Sequence, residues 1–323
     1  MISRKLAGLD VSAFALGAAN FGGVGSARRL VGRGETEAQA HALLDAAVSL
    51  GVDLIDTAGT YGDGASESFI GSWLASRGPS ARHKVRLSSK VGIRGGLSPA
   101  HVRQEVDRTL ARLRTDFVDF YLAHVPDPAT PWPAVCETFR GLVECGKVRA
   151  FGLSNVSAAD IRSAAAGGAP TFGWVQNRFN LLERDDEGNG VVALCRALGL
   201  GYTPYSPLAG GLLGGRYAME GEIPHDSRLG QRRDLYARAW TPSNAAKLAR
   251  LKGLAEEVSV SPAGLAVWWL LQCDFVTSIV LGARQPEQLE RMVTEALGLP
   301  PDGALRQRLD DLGVAREGPC EPS

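Results

Sequence analysis

Gly51-Val52-Asp53-Leu54-Ile55-Asp56-Thr57-Ala58-Gly59-Thr60-Tyr61-Gly62 holds a short apolar run, 54–56, that opens onto a loop of small and polar residues. A run this short and apolar, bounded by Gly and Asp, reads as a strand buried on both faces in a parallel sheet. Helical periodicity flanks it. Over 35–50, Ala40, Leu43, Leu44, Ala47 and Val48 fall on one stripe, and a second helix fits 66–76. The unit is helix, strand, loop, helix.

Seven further runs read as strands in the same way: 14–17, 85–90, 117–122, 148–153, 174–176, 201–205 and 278–281. Helical stretches fit 98–113, 132–145, 157–166, 187–198, 245–258 and 286–297, with extra ones at 262–271 and 302–313. Ser98-Pro99 and Ser261-Pro262 each place a capping residue before a proline at the first helical position. Eight alternations of strand and helix predict one (β/α)8 barrel over 1–315. Length alone would suggest two domains, at roughly 150 residues each. The segment 207–242 is rich in Gly and charge and too long for a plain connection, so it reads as a functional loop. Residues 316–323 are rich in Pro and charge and are expected to form a disordered tail.

A doubly wound sheet is the alternative. Gly23-Val24-Gly25 follows the first strand, and Asp45 lies about 20 residues on, as in part of a dinucleotide fingerprint. The match is poor. Arg28 stands at the third glycine position, no helix opens at the glycines, and Asp45 falls inside a helical stretch.

Composition narrows the function classes. Lys and Arg number 35 and Asp and Glu 35, so the basic footprint of a nucleic-acid binder is missing. Glycine numbers 39, above the roughly 7% of average usage, and falls in short groups between apolar runs, which fits many tight connections. The five cysteines, at 136, 145, 195, 273 and 320, are odd in number and show no metal-ligand spacing, so neither a disulfide framework nor a metal site is expected. The start of the chain has no apolar leader core, and its longest apolar stretch, 265–271, falls far short of the ~20 residues of a membrane span. A cytoplasmic protein with no membrane or nucleic-acid partner is the expectation.

In a parallel barrel the working residues stand at the C-terminal ends of the strands. Strand 54–56 ends in Asp56 and runs on to Tyr61, 85–90 ends in Lys90, and 117–122 is followed by Ala123-His124. Each residue alone has a bland use, as a cap or a turn residue. Four titratable groups meeting on one rim are another matter. A buried Lys and Asp would pair, since a lone charge there is costly. Tyr61 beside the ammonium would have its phenolate favoured and its pKa drawn toward neutral. It could then exchange a proton with a carbonyl oxygen that His124 orients.

The segment 51–67 resembles the signature of the aldo-keto reductase superfamily, and Tyr121-Leu122-Ala123-His124 followed by Asp127 is a second match. The resemblance runs from Leu9 to about Leu312 with its motifs in order. It implies a (β/α)8 barrel with an N-terminal hairpin and a C-terminal helical extension. It also implies a carbonyl reductase that uses NADPH, or NADH, without a doubly wound domain. The family tetrad of Asp, Tyr, Lys and His falls on Asp56, Tyr61, Lys90 and His124.

The same resemblance assigns the cofactor side. Ser154, Asn155 and Gln176 would hold the nicotinamide carboxamide, and Tyr205 would stack on the ring. Ser206, Pro207, Leu208 and Gly210 would follow the diphosphate, with Arg216 near phosphate. Gly282, Arg284 and Gln288 match the adenosine-phosphate segment, with Arg284 placed for a 2′-phosphate and Arg228 in support, which favours NADPH. Arg291 and Met292 stand where the family often has a Glu-Asn pair on adenine, and Phe179 replaces the tyrosine often found before Asn180.

Asn20, Phe21 and Pro126 would border the substrate, a small carbonyl compound. Arg232, Arg233, Tyr236, Arg238 and Trp240 read either as a solvated helix face or as a site for an anionic substrate. Two branches are most similar. One holds aflatoxin-aldehyde-reductase-like enzymes and potassium-channel β subunits, the other ketoreductases of deoxysugar pathways acting on nucleotide-linked ketosugars. The channel-like branch implies a second function, a cofactor-sensing binding subunit with slow incidental turnover. Oligomeric state is open.

Overall fold

The structure is a computed structural model that describes residues 1–166, 171–217, 222–225 and 227–313. The predicted tail, 316–323, lies outside the described residues. The chain opens with an antiparallel hairpin, β1 (Ser3–Leu6) and β2 (Leu9–Ser12). Ala7 and Gly8 turn it with φ of 48° and 83°, the two left-handed residues that a two-residue hairpin needs.

Eight parallel strands follow: β3 (Phe14–Gly17), β4 (Leu54–Asp56), β5 (Arg86–Val91), β6 (Val118–Ala123), β7 (Val148–Ser154), β8 (Trp174–Gln176), β9 (Gly201–Tyr202) and β10 (Ile279–Leu281). They pair in the order β10-β3-β4-β5-β6-β7-β8-β9. The two outer strands meet. Thr277 N–H donates to the Tyr202 carbonyl at 2.7 Å and Val280 N–H to the Pro204 carbonyl at 3.0 Å, which closes the ring. Every run predicted as a strand is one: 14–17, 54–56 and 174–176 match at both ends, and the other five differ at one or both. The run 201–205 is cut to Gly201–Tyr202, as expected of a strand that meets Pro204, which has no N–H to donate.

Ala15, Leu54, Phe120, Leu122, Trp174 and Val280 point into the barrel, where Leu6 and Val11 of the hairpin join them. The hairpin therefore stoppers one end. Alternate residues, such as Tyr121 and Ala123, point outward into the larger core beneath the helices.

The helices are α1 (Glu37–Ser49), α2 (Ala65–Arg77), α3 (Pro99–Leu113), α4 (Trp132–Glu144), α5 (Ala158–Ala164), α6 (Val191–Ala197), α7 (Pro242–Glu257), α8 (Pro262–Leu271), α9 (Pro286–Gly298) and α10 (Gly303–Gly313). Thr36 and Gln39 form a reciprocal capping box on α1, and Ser98 and Ser261 cap α3 and α8 as the Ser-Pro pairs predict. Outside the ring, α10 extends the chain onto α7, where Arg308 forks onto Glu257 at 2.7 and 2.9 Å. No helix among the described residues is long and apolar enough to cross a membrane.

The rejected alternative finds no support, and the long loop proves partly ordered. Gly23-Val24-Gly25 lies between β3 and α1 and opens no helix, while Asp45 is spent on Trp73 and Arg77 at 2.8 and 2.5 Å. No doubly wound site exists there. The segment 207–242 is also no plain loop. Short helical turns at Ala209–Gly214, Arg228–Gln231, Arg233–Tyr236 and Ala237–Ala239 order much of it, with Ser227 Oγ capping the second at Gly230 N–H. The charge density that suggested a loop belongs to their exposed sides.

Close helix packing yields one stability prediction. Gly71 on α2 lies against α3, and a Cβ there would stand 2.1 Å from the Arg112 carbonyl oxygen. Backbone cannot yield as a side-chain tip can. Gly71→Ala is expected to cost about 1–3 kcal/mol. A thermal melt would show it, and an unchanged midpoint would mean that α2 and α3 separate freely.

Candidate active site

The side chains at the C-terminal rim of β4, β5 and β6 form one connected group. Lys90 is 1% exposed and Asp56 4%. The Lys90 ammonium donates to Asp56 Oδ2 at 2.6 Å, to the Thr57 carbonyl at 2.8 Å and to the Tyr61 hydroxyl at 3.5 Å. Its three protons thus have three acceptors, which is what allows a charge to sit there. Asp56 Oδ1 accepts from Ser88 Oγ at 3.2 Å and from Gln176 Nε2 at 3.1 Å. Tyr61 is delivered by a turn in which Gly62, Asp63 and Gly64 are all left-handed. At Gly62 a Cβ would lie 2.6 Å from the Phe21 carbonyl, so glycine is required twice over.

His124 N–H donates to the Val91 carbonyl at 2.8 Å, and its ring meets Tyr61 edge-on at 5.7 Å. Its Nδ1 is buried without a partner. Burial and the Lys90 charge push the imidazole well below its usual range, so it is neutral at pH 7. Burial opposes charge on Lys90 as well, but Asp56 and Tyr61 outweigh it and the ammonium is held above its ordinary value. Tyr61 departs from the sequence expectation. Burial raises its pKa by more than Lys90 lowers it, so the hydroxyl keeps its proton.

Above this group opens a cavity of about 430 Å³, lined by Tyr61, His124 and the loops after β3, β7, β8, β9 and β10. Asn155, at φ 58°, is pinned from two sides: its Nδ2 donates to the His124 carbonyl at 2.7 Å and its Oδ1 accepts from the Tyr205 hydroxyl at 2.6 Å. After β9 the chain turns tightly through left-handed Ser206, Ala209, Gly210 and Gly211. A Cβ on Gly210 would meet the Tyr236 ring at 2.8 Å. At the far end of the cavity stands Arg284, its side chain 58% exposed, just before α9.

A proton-bearing Tyr beside a Lys–Asp pair thus stands in one cavity with Arg284, whose guanidinium pairs with Glu35 at 3.3 Å, and a protein-family model also covers most of the chain. That model, the Aldo/keto reductase family, matches residues 13–300. The chain belongs to this family. An uncharacterized oxidoreductase of Bacillus subtilis (strain 168), YrpG, is 33% identical over 94% of this chain and 93% of its own length. A probable voltage-gated potassium channel subunit beta of Oryza sativa subsp. japonica is 33% identical over 78% of this chain and 80% of its own. The solved thermostable aldo-keto reductase Tm1743, in complex with the inhibitor epalrestat, superposes with a TM-score of 0.76 at 25% identity, over 97% of this chain and 100% of that one. The protein is an NAD(P)H-dependent oxidoreductase acting on carbonyl compounds.

In this aldo-keto reductase most residues singled out from the sequence meet in the cavity. Asp56, Tyr61 and His124 line its floor, with Lys90 buried beneath. Ser154, Asn155 and Gln176 line one side, Ser154 Oγ donating to the Gln176 carbonyl at 2.8 Å. Tyr205, Ser206, Pro207, Leu208, Gly210 and Arg228 line the wall after β9, and Gly282, Arg284 and Gln288 the end near α9. Asn20 is at the rim, bonded to the Arg228 guanidinium. Three residues stand elsewhere. Phe21 is buried at 1% exposure, Pro126 does not line the cavity, and Arg216 borders a separate cleft with Trp240 and Lys252. Of the basic-aromatic group, Arg232 and Tyr236 line the cavity, while Arg238 pairs with Glu183 at 2.7 Å. Met292 is buried and Arg291 exposed. Phe179 stacks on Trp269 at 5.6 Å in the core.

Sequence reasoning missed Arg178, Ile93 and Glu35. Arg178 lines the cavity with its guanidinium 5.8 Å from the Tyr205 ring centre and 5.3 Å from that of Tyr236. Its one signal was position, two residues after Gln176 and so on the same side of the strand end. Ile93 also lines the cavity and is 39% exposed, an apolar surface at its mouth.

Proposed function

We propose that this aldo-keto reductase reduces an aldehyde or ketone with NADPH, using Tyr61 as the proton donor. The observation that carries the reading is the protonated Tyr61 hydroxyl 3.5 Å from an ammonium that is itself locked onto Asp56, beside a neutral imidazole. His124 in its neutral form can donate one hydrogen bond to the carbonyl oxygen and aim it at Tyr61. Tyr61 gives its proton as negative charge develops on that oxygen. Lys90 stabilises the phenolate left behind, and Asp56 holds Lys90 in register.

The lining supports a dinucleotide. The neutral His124 ring beside Tyr61 stands at the reacting end, the glycine turn after β9 permits close backbone approach, and the exposed side chain of Arg284 suits a 2′-phosphate. When bound, the nicotinamide supplies the hydride. Ser154, Asn155 and Gln176 would hold its carboxamide and Tyr205 its ring face. Ser206, Pro207, Leu208 and Gly210 would follow the diphosphate, and Arg228, Gly282, Arg284 and Gln288 the adenosine phosphate.

Arg178 and Arg232 also line the cavity, but each is already paired, with Glu183 at 3.2 Å and with Asp234 at 2.8 Å, so the carbonyl substrate, nucleotide-linked ketosugars included, is left to the panel below. The buried free thiols of Cys136, Cys195 and Cys273 fit the reducing cytoplasm as its place of work. The test is a carbonyl panel from 4-nitrobenzaldehyde to nucleotide-linked ketosugars, assayed with NADPH and NADH side by side. Nucleotide fluorescence should change on binding and NADPH should be consumed. No binding and no consumption with any carbonyl would end the proposal.

A second reading rests on the relatives named as channel subunits. There the bound nucleotide is sensed and turnover is incidental. Recovery of one stoichiometric partner together with very slow turnover across the whole panel would favour it over the first.

A further inference from the structure

Glu35 has no part in the chemistry above, yet it is an acid buried beside Arg284, a residue of the cavity wall. Its main chain is fixed under the loop after β3: Glu35 N–H donates to the Asn20 carbonyl at 2.8 Å, and Gly22 N–H to the Glu35 carbonyl at 2.9 Å. The neighbouring Gly34 packs so closely that a Cβ would fall 1.9 Å from the Asn20 oxygen. The carboxylate is therefore held from its own backbone, 2% exposed at the side chain.

Its two oxygens differ. Oε1 accepts from Arg284 Nε at 3.3 Å, while Oε2 is buried with no partner. Burial pushes the carboxyl above its ordinary range, and Arg284 and, more weakly, Arg228 pull it back. The Arg284 guanidinium is thus tethered by its Nε edge, and among the described residues its Nη nitrogens make no hydrogen bond, on a side chain 58% exposed that lines the cavity. The Arg284 N–H is tied to Gln288 Oε1 at 2.9 Å, so the backbone behind the fork is fixed too.

We infer that Glu35 is a specificity-determining residue for the dinucleotide. Its carboxylate holds Arg284 by Nε and, while ionised, opposes a second anion on the same guanidinium. The inference rests on the reading that Arg284 faces a 2′-phosphate. Two anions then share one cation, and the buried one is not screened by solvent. An unphosphorylated ribose meets no such opposition. Ionised Glu35 therefore narrows the gap between NADPH and NADH that Arg284 would otherwise open.

Glu35→Gln separates the two effects, because an amide oxygen still accepts from Nε but carries no charge. Dissociation constants for NADPH and NADH are read by nucleotide fluorescence on wild type, Glu35→Gln and Arg284→Gln. Glu35→Gln should tighten NADPH about tenfold, as loss of one charge near a dianion implies, and leave NADH within about twofold. Arg284→Gln should weaken NADPH alone. Should Glu35→Gln fold poorly, Glu35→Met offers similar volume without charge, and the NADPH-to-NADH affinity ratio should again rise. A ratio equal to or below wild type in the variant that folds overturns the inference. If wild type binds neither dinucleotide, the functional reading falls and the inference with it. If both bind and Arg284→Gln leaves the ratio unchanged, Arg284 is not at the 2′-phosphate, and Glu35 cannot act through it. If Arg284→Gln abolishes the preference and Glu35→Gln does not raise it, the inference alone fails.

Discussion

Tyr61→Phe is expected to bind NADPH as the wild type does and to lose about a hundredfold or more in kcat, the range in which a positioned proton donor acts. The substitution removes one oxygen. That oxygen is only a distant acceptor of the Lys90 ammonium, at 3.5 Å against 2.6 Å to Asp56 and 2.8 Å to Thr57. The ion pair therefore survives, which it would not in Lys90→Met, where Asp56 would be left buried and unpaired. Stability should change little and nucleotide affinity not at all, so the loss would fall on turnover. Turnover equal to wild type would remove Tyr61 from the reaction. The directions of the two pKa shifts add a second check. Burial holds Tyr61 above, and burial with Lys90 holds His124 well below, their ordinary values. Neither group changes charge near neutrality, so the reductive rate should be flat across neutral pH.

Those directions also explain what the sequence could and could not reveal about the site. Residue order placed Asp56, Lys90 and His124 on one rim, because each ends a strand of a parallel barrel. Order also suggested a tyrosine drawn toward neutral pH by its lysine. The structure reverses that shift, because the sequence does not show how deeply the hydroxyl is buried. In the free protein Lys90 does not ionise Tyr61. In the proposed reaction it would stabilise the phenolate once the proton has left.

The fold was readable for the same reason that its details were not. Short apolar runs such as 54–56 and 174–176 declare buried parallel strands by hydrophobicity alone. The end of a strand depends on partners far away, as where β9 stops before Pro204 and closes onto 277–280. The segment 207–242 looked like a loop because its helical turns are single and its apolar contacts, such as Tyr236 and Leu229, are isolated in sequence. Glu35 and Arg178 were invisible for a further reason. Each is an ordinary charged residue until the barrel brings a partner 249 or 57 positions away against it, Arg284 for the one and Leu235 for the other.

Arg112→Ala is expected to destabilise the fold by about 3–5 kcal/mol, the cost of leaving a buried carboxylate without its partner. The carboxylate is Glu67, on α2, with a fully buried side chain. Glu67 Oε2 accepts from Arg112 Nε at 2.5 Å and Oε1 from Ser89 Oγ at 2.5 Å, while Arg112 Nη2 reaches Glu105 at 2.6 Å. Ser89 precedes Lys90 on β5 and faces outward where Lys90 faces the site. The triad thus ties α2 and α3 to the back of the strand that carries Lys90. Alanine would leave the Glu67 carboxylate buried without its cation. A double variant, Glu67→Gln with Arg112→Met, removes both charges and should recover part of the loss. Denaturant melts of wild type, Arg112→Ala and the double variant would decide the matter. A loss below about 1 kcal/mol for Arg112→Ala would put the pair in the class of surface bridges and release β5 from this restraint.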